Sequence, residues 1–113
     1  MAELDRVLMV SHEDFDPYAS LLVEFDDEMN LNIILDWEFS DEPSMNYRRI
    51  ACVDKENAFY LAKKKKIHLV ELPEHFYKKF RDDSFCATAR EVEDLFAEVV
   101  DYLLDNKVGY KIK

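Results

Sequence analysis

A single glycine, Gly109, serves a chain of 113 residues. Loops that cradle phosphate need several, because the backbone must approach the ligand closely with φ values other residues avoid, so that class of nucleotide site is excluded. Proline is scarce too, with three, and no Pro-, Gly- or Ser-rich linker, internal repeat or low-complexity segment interrupts the chain. The two cysteines, Cys52 and Cys86, have no zinc-ligand spacing, and each sits among apolar or aromatic neighbours. They read as buried reduced thiols and not as a disulfide. No apolar run approaches the roughly 20 residues of a membrane-spanning helix. The first six residues are acidic on balance and Val7 to Val10 is too short for a signal-peptide core, so the expected setting is cytoplasmic, with no membrane partner.

What is present is a core in the making. Hydrophobic residues are 49% of the chain and aromatics 13%, which argues against disorder. This length buries about two thirds of the unfolded surface, enough for one α+β domain over residues 1–113 without staples. The most periodic stretch is Thr88 to Asp105, where Val92, Leu95, Phe96, Val99, Val100, Leu103 and Leu104 recur at helical spacing. Thr88 with Glu91 has the form of a capping box, and Asn106, Lys107 and Gly109 mark the end.

Several strands precede it. Arg6 to Val10 is a short apolar run, read as an edge strand. Tyr18 to Phe25 fits either an alternating strand or a helix begun at Asp16 and Pro17. The acids Asp26, Asp27 and Glu28 favour the strand, because they would oppose the dipole at a helix C-terminus. Leu31 to Phe39 is the clearest strand, with Leu31, Ile33, Leu35, Trp37 and Phe39 on one face and Asn32, Ile34, Asp36 and Glu38 on the other. A turn at Ser40 to Ser44 leads to a returning strand, Tyr47 to Val53, whose arginines would meet Asp36 or Glu38 across an antiparallel pair. Asp54 then caps a short helix with Ala58, Leu61 and Ala62 on its inner face, and Leu72-Pro73-Glu74 opens another carrying Phe76, Tyr77 and Phe80. Asp82 to Ser84 closes that helix, and Val108 to Lys113 reads as a final strand with Val108, Tyr110 and Ile112 on one side. The expected architecture is an antiparallel sheet of about four to five strands, packed on one face by the long C-terminal helix and two shorter ones.

Charge is unevenly spread over a net of −10. Residues 1–53 hold 13 acidic and 3 basic side chains, residues 54–81 hold 4 and 8, and residues 82–113 hold 8 and 4. Glu24, Asp26, Asp27, Glu28, Asp36, Glu38, Asp41 and Glu42 form an acidic cluster that could steer a basic protein partner, with Phe76 and Tyr77 as possible anchors. The plainer readings are a solvated acidic surface and aromatic core packing.

Lys63, Lys64, Lys65, Lys66, Lys78, Lys79 and Arg81 lie in a segment spaced like a helix-turn-helix, which raises nucleic acid as an alternative partner. Its second helix has few groups for reading base edges, and Glu74 would repel phosphate, so that alternative is disfavoured. His12, Glu13, Asp14 and Asp16 are residue types that ligate metals or move protons, but successive turn residues cannot converge on one ion and His68 and His75 have no ligand spacing to them. No metal, cofactor or catalytic residue is expected. The function expected is a small protein-binding module, of inhibitor or immunity type, that masks a basic partner surface and is not an enzyme. The alternatives are the nucleic-acid-associated regulator and a self-associating assembly domain.

Overall fold

Leu31, Ile33 and Leu35 alternate with Asn32 and Asp36, and this two-residue period makes the central strand half apolar and half polar. A computed structural model describes residues 6–11, 17–80 and 88–113. Among them five strands form one sheet: β1 (Arg6–Val10), β2 (Tyr18–Phe25), β3 (Leu31–Glu38), β4 (Tyr47–Val53) and β5 (Lys111–Ile112). Their order in the sheet follows the chain, and every neighbouring pair is antiparallel. Tyr18 to Phe25 is therefore strand and not helix. All eight of its residues pair with β3, a ladder that outweighs the helical spacing of Tyr18, Leu21, Leu22 and Phe25.

The helices α1 (Lys55–Lys65), α2 (Leu72–Phe80) and α3 (Ala89–Asp105) bury their apolar sides against one face of this sheet. α3 lies across β2 and reaches β1 and β3, while α2 lies on β1 and β2. The core joins Ala19, Leu21 and Val23 of β2 with Leu31, Ile33 and Leu35 of β3 and with Val92, Phe96, Val99 and Leu103 of α3. A bulge between Val7 and Met9 turns both Leu8 and Met9 inward, so the edge strand contributes two core residues in succession.

Local chemistry fixes the helix ends. Asp54 accepts from the Asn57 N–H at 2.8 Å and Thr88 from the Glu91 N–H at 3.3 Å, each satisfying a donor left free by the first turn. α1 closes on Lys66 at φ 61°, held by its N–H on the Ala62 and Lys63 carbonyls. Pro73 occupies the second residue of α2, where its missing N–H costs nothing.

Two expectations need correction. Leu104 is 57% exposed, because it lies about 100° around the helix from Leu103, beyond the arc that α3 presents to the sheet. The last strand is only Lys111–Ile112, and Ile112 is 52% exposed at the sheet edge. Val108 instead fills the core just after the helix end, where its N–H bonds to the Leu103 carbonyl. α3 ends at Asp105 with Asn106 as its C-cap, as the sequence marks it. Lys107 takes the left-handed conformation at φ 59°, and Gly109 lies against Asn57, where an added Cβ would come within 3.3 Å of the side-chain nitrogen.

Candidate functional site: the open face of the sheet

The core cluster takes in none of Val7, Leu22, Ile34 or Ile50. Register explains why: Val7 stands opposite Leu22, Leu22 opposite Ile34, and Ile34 opposite Ile50. Four strands thus place one apolar side chain each in a single row on the face turned away from the helices. Ile34, at the centre, is only 4% exposed because its cross-strand neighbours cover it, whereas Val7 at the edge is 51% exposed. Val10, also on this face, is 43% exposed.

Polar rows flank the apolar one. On one side Val10, Ser20, Asp36 and Arg48 lie in register, with Tyr18 and Glu38 beyond them. On the other lie Glu24, Asn32, Cys52 and Lys111. Arg48 pairs with Asp36 at 2.7 Å, one of the cross-strand pairings the sequence suggests, and the carboxylate raises the proton affinity of the guanidinium further above its ordinary value. Cys52 is a buried free thiol, matching the sequence reading, while Cys86 falls outside the described residues.

The eight carboxylates expected to act together are only partly brought together. Glu24, Asp36 and Glu38 share the open face. Asp27 and Glu28 are exposed at the tip of the β2–β3 hairpin, and Asp41 and Glu42 are exposed at the opposite end of β3. Asp26 is used internally: its carboxylate accepts from the N–H groups of Asn30 and Glu28 at 2.9 Å and from the Asn30 side chain at 3.1 Å. Those bonds, the Asn30 backbone first, hold its pKa below the usual carboxylate value. The acidic cluster is therefore a face with charged ends and one turn-forming member.

The aromatic anchors differ from expectation more sharply. Phe76 has no exposed surface and Tyr77 is half-buried, so α2 spends these rings on the core. Volume demanded by a small core decides this, and it removes Phe76 from any rigid contact surface. The lysines are exposed on the helical side, with the exception of the half-buried Lys65, and Arg81 lies outside the described residues. So does the His12, Glu13, Asp14 and Asp16 group.

A recess of about 390 Å³ between β4, α1 and the C-terminal segment is lined by Asn30, Cys52, Asp54, Asn57 and Gly109. Its polar groups serve the fold: Asn30 accepts the Lys55 N–H, Asp54 caps α1, and Asn57 accepts the Gly109 N–H at 3.1 Å. Among the described residues no three of His, Cys, Asp or Glu are grouped to hold a metal ion, and no helix is long and apolar enough to cross a membrane. Comparison with protein-family models, with curated proteins and with solved structures finds no match.

Sequence reading placed Ile34 alone on a polar face and missed the row it belongs to. The signal was present in Leu22 and Ile50, but joining them requires strand register, which a one-dimensional pattern does not contain. Phe59 and Tyr60 were missed as well. They fall between the inward positions of α1 and stand 58% and 41% exposed.

Proposed function

We propose that this chain is a protein-binding module whose open sheet face docks on a basic surface of another protein, masking it in the manner of an inhibitor or immunity protein. The observation that carries the reading is the four-strand apolar row Val7–Leu22–Ile34–Ile50, bordered by Glu24 and Glu38 and by the Arg48–Asp36 pair. Apolar centre and charged border is the anatomy of a protein contact, in which the centre supplies affinity and the border supplies selection and encounter rate. The hairpin-tip acids Asp27 and Glu28 and the far-end acids Asp41 and Glu42 extend the negative field along both ends of the same strands.

Immobilised chain and Val7→Lys chain, each exposed to lysate of the cells it comes from, test the reading. Wild type is expected to retain a basic protein that elutes as ionic strength rises. Val7→Lys places a charge of the partner's own sign in the apolar row without touching the core, and is expected to weaken retention at least tenfold. Retention of the same protein by both chains, unaltered by salt, refutes it.

A further inference from the structure

The opposite side of the molecule carries the reverse chemistry, and α1 shows it first. Ala58, Leu61 and Ala62 suffice to seat this helix on the core, yet its outer surface presents Phe59 and Tyr60, 58% and 41% exposed. Each ring is followed four residues later by a lysine, Lys63 and Lys64, and that spacing stacks the two side chains on one helix face. Glu56, Phe59, Tyr60, Lys63 and Lys64 border a shallow groove of about 460 Å³. Lys64 is placed and not free to wander: its Nζ lies 5.8 Å from the Tyr60 ring centre and donates to the Asn106 carbonyl at 3.2 Å.

Interleaving continues onto the neighbouring helices. Lys65 Nζ lies 5.3 Å and Lys79 Nζ 5.0 Å from the ring centre of Tyr102 in α3, and Lys79 is also 5.7 Å from that of Phe80. Among the described residues, the two ion pairs found are Arg48–Asp36 and Lys78–Glu74, so Lys63, Lys64, Lys65 and Lys79 meet no carboxylate there. The surplus is felt locally: besides burial, it is Lys65 and Lys79 that lower the proton affinity of His75, whose Nε2 sits 2.8 Å from the Tyr102 hydroxyl.

We propose that this aromatic and basic surface, centred on the outer side of α1, binds single-stranded nucleic acid. Exposed rings offer stacking platforms to unpaired bases of any sequence, and lysines one helical turn away are placed to meet the phosphates between them. Duplex fits poorly, because its bases are stacked already and α1 offers the groove few hydrogen-bonding groups. An acidic polypeptide would satisfy the lysines but leave Phe59 and Tyr60 without planar partners. The net charge of −10 opposes the contact least at physiological salt, where exposed charges interact over only ~8 Å and those on the far side of the sheet are screened, leaving Glu56 as the acid that borders the groove. This site is independent of the open sheet face, and either can fail without the other.

Fluorescence anisotropy of a labelled oligothymidylate of about 12 nucleotides, titrated with the full chain at salt concentrations from low to physiological, tests the proposal. Binding is expected, with Phe59→Ala and Tyr60→Ala each weakening it about tenfold. Lys63→Gln with Lys64→Gln should flatten the slope of log affinity against log salt by about 1.4, the value for two phosphates released from a single strand. Both ring positions are exposed, and a far-ultraviolet circular dichroism spectrum unchanged from wild type confirms that each variant is folded. The proposal is overturned by absence of binding at every salt concentration in that range, by affinity indifferent to both ring substitutions, or by polyglutamate competing as well as unlabelled oligothymidylate.

Discussion

Two faces of the same strands are built from one alternating pattern and end in opposite environments. On one face Leu21, Ile33 and Leu35 have no exposed surface and lie under helices. On the other, Leu22, Ile34 and Ile50 are apolar too, but no helix among the described residues lies over them. Apolar character in a strand therefore does not by itself say which face is the core; the number of elements available to cover a face does. The adjacent pair Leu21 and Leu22 sharpens this. Leu21→Ala should destabilise by about 3 kcal/mol, from lost burial and the cavity left behind, while Leu22→Ala should cost about 1 kcal/mol. Urea unfolding measures both, as shifts of midpoint at constant slope. Equal losses would mean that the second face is as well covered as the first.

A smaller effect tests how the helical side is held. Asp54→Ala removes the side chain that caps α1 and also releases the Asn57 side chain from its 3.1 Å bond, for an expected loss of about 1 kcal/mol in the same assay. Arg48→Ala on the open face should cost no more than about 0.5 kcal/mol, because a pair this exposed is largely screened by water. Should Arg48→Ala prove the more damaging of the two, the ion pair on the open face would be holding the sheet, and the division between a structural side and a contact side would fail.

Much of the fold was legible because local chemistry and periodicity agree. Tyr47–Val53 was readable to the residue, bounded by turn residues before it and by the Asp54 cap after it, and the inward faces of α1 and α3 follow from spacing alone. What failed did so where an answer lies in three dimensions. Leu104 matches the helical period of α3 but falls outside the arc that meets the sheet, and a residue's place at the margin of that arc depends on crossing geometry. Phe76 and Tyr77 carry the same side chains whether they point at a partner or at the core, and only the packing of α2 against β1, β2 and Tyr102 of α3 decides. The row across the open face is the plainest case. Val7, Leu22, Ile34 and Ile50 are separated by 15, 12 and 16 residues in the chain, and only the register joins them.

The two sides should also answer acid in separate windows. Burial and the nearby charges of Lys65 and Lys79 lower the pKa of His75 from its usual 6.5, so below pH 6.5 the unfolded chain binds a proton that the folded chain resists. Unfolding takes up protons there, and stability falls as pH drops from 6.5 towards the folded value. Asp26 works the other way round: its folded pKa lies below 3.8, so its turn-forming bonds contribute fully above 3.8 and are lost as pH falls through the folded value. His75→Gln keeps a group able to bond to Tyr102 yet cannot titrate, and should flatten the thermal-midpoint profile just below pH 6.5 while leaving the decline below 3.8 in place. Asp26→Asn should reduce the lower decline and leave the upper one. If His75→Gln altered neither window, burial, the larger cause of the lowered proton affinity, would not be acting on His75, and the smaller contribution of Lys65 and Lys79 would be absent with it.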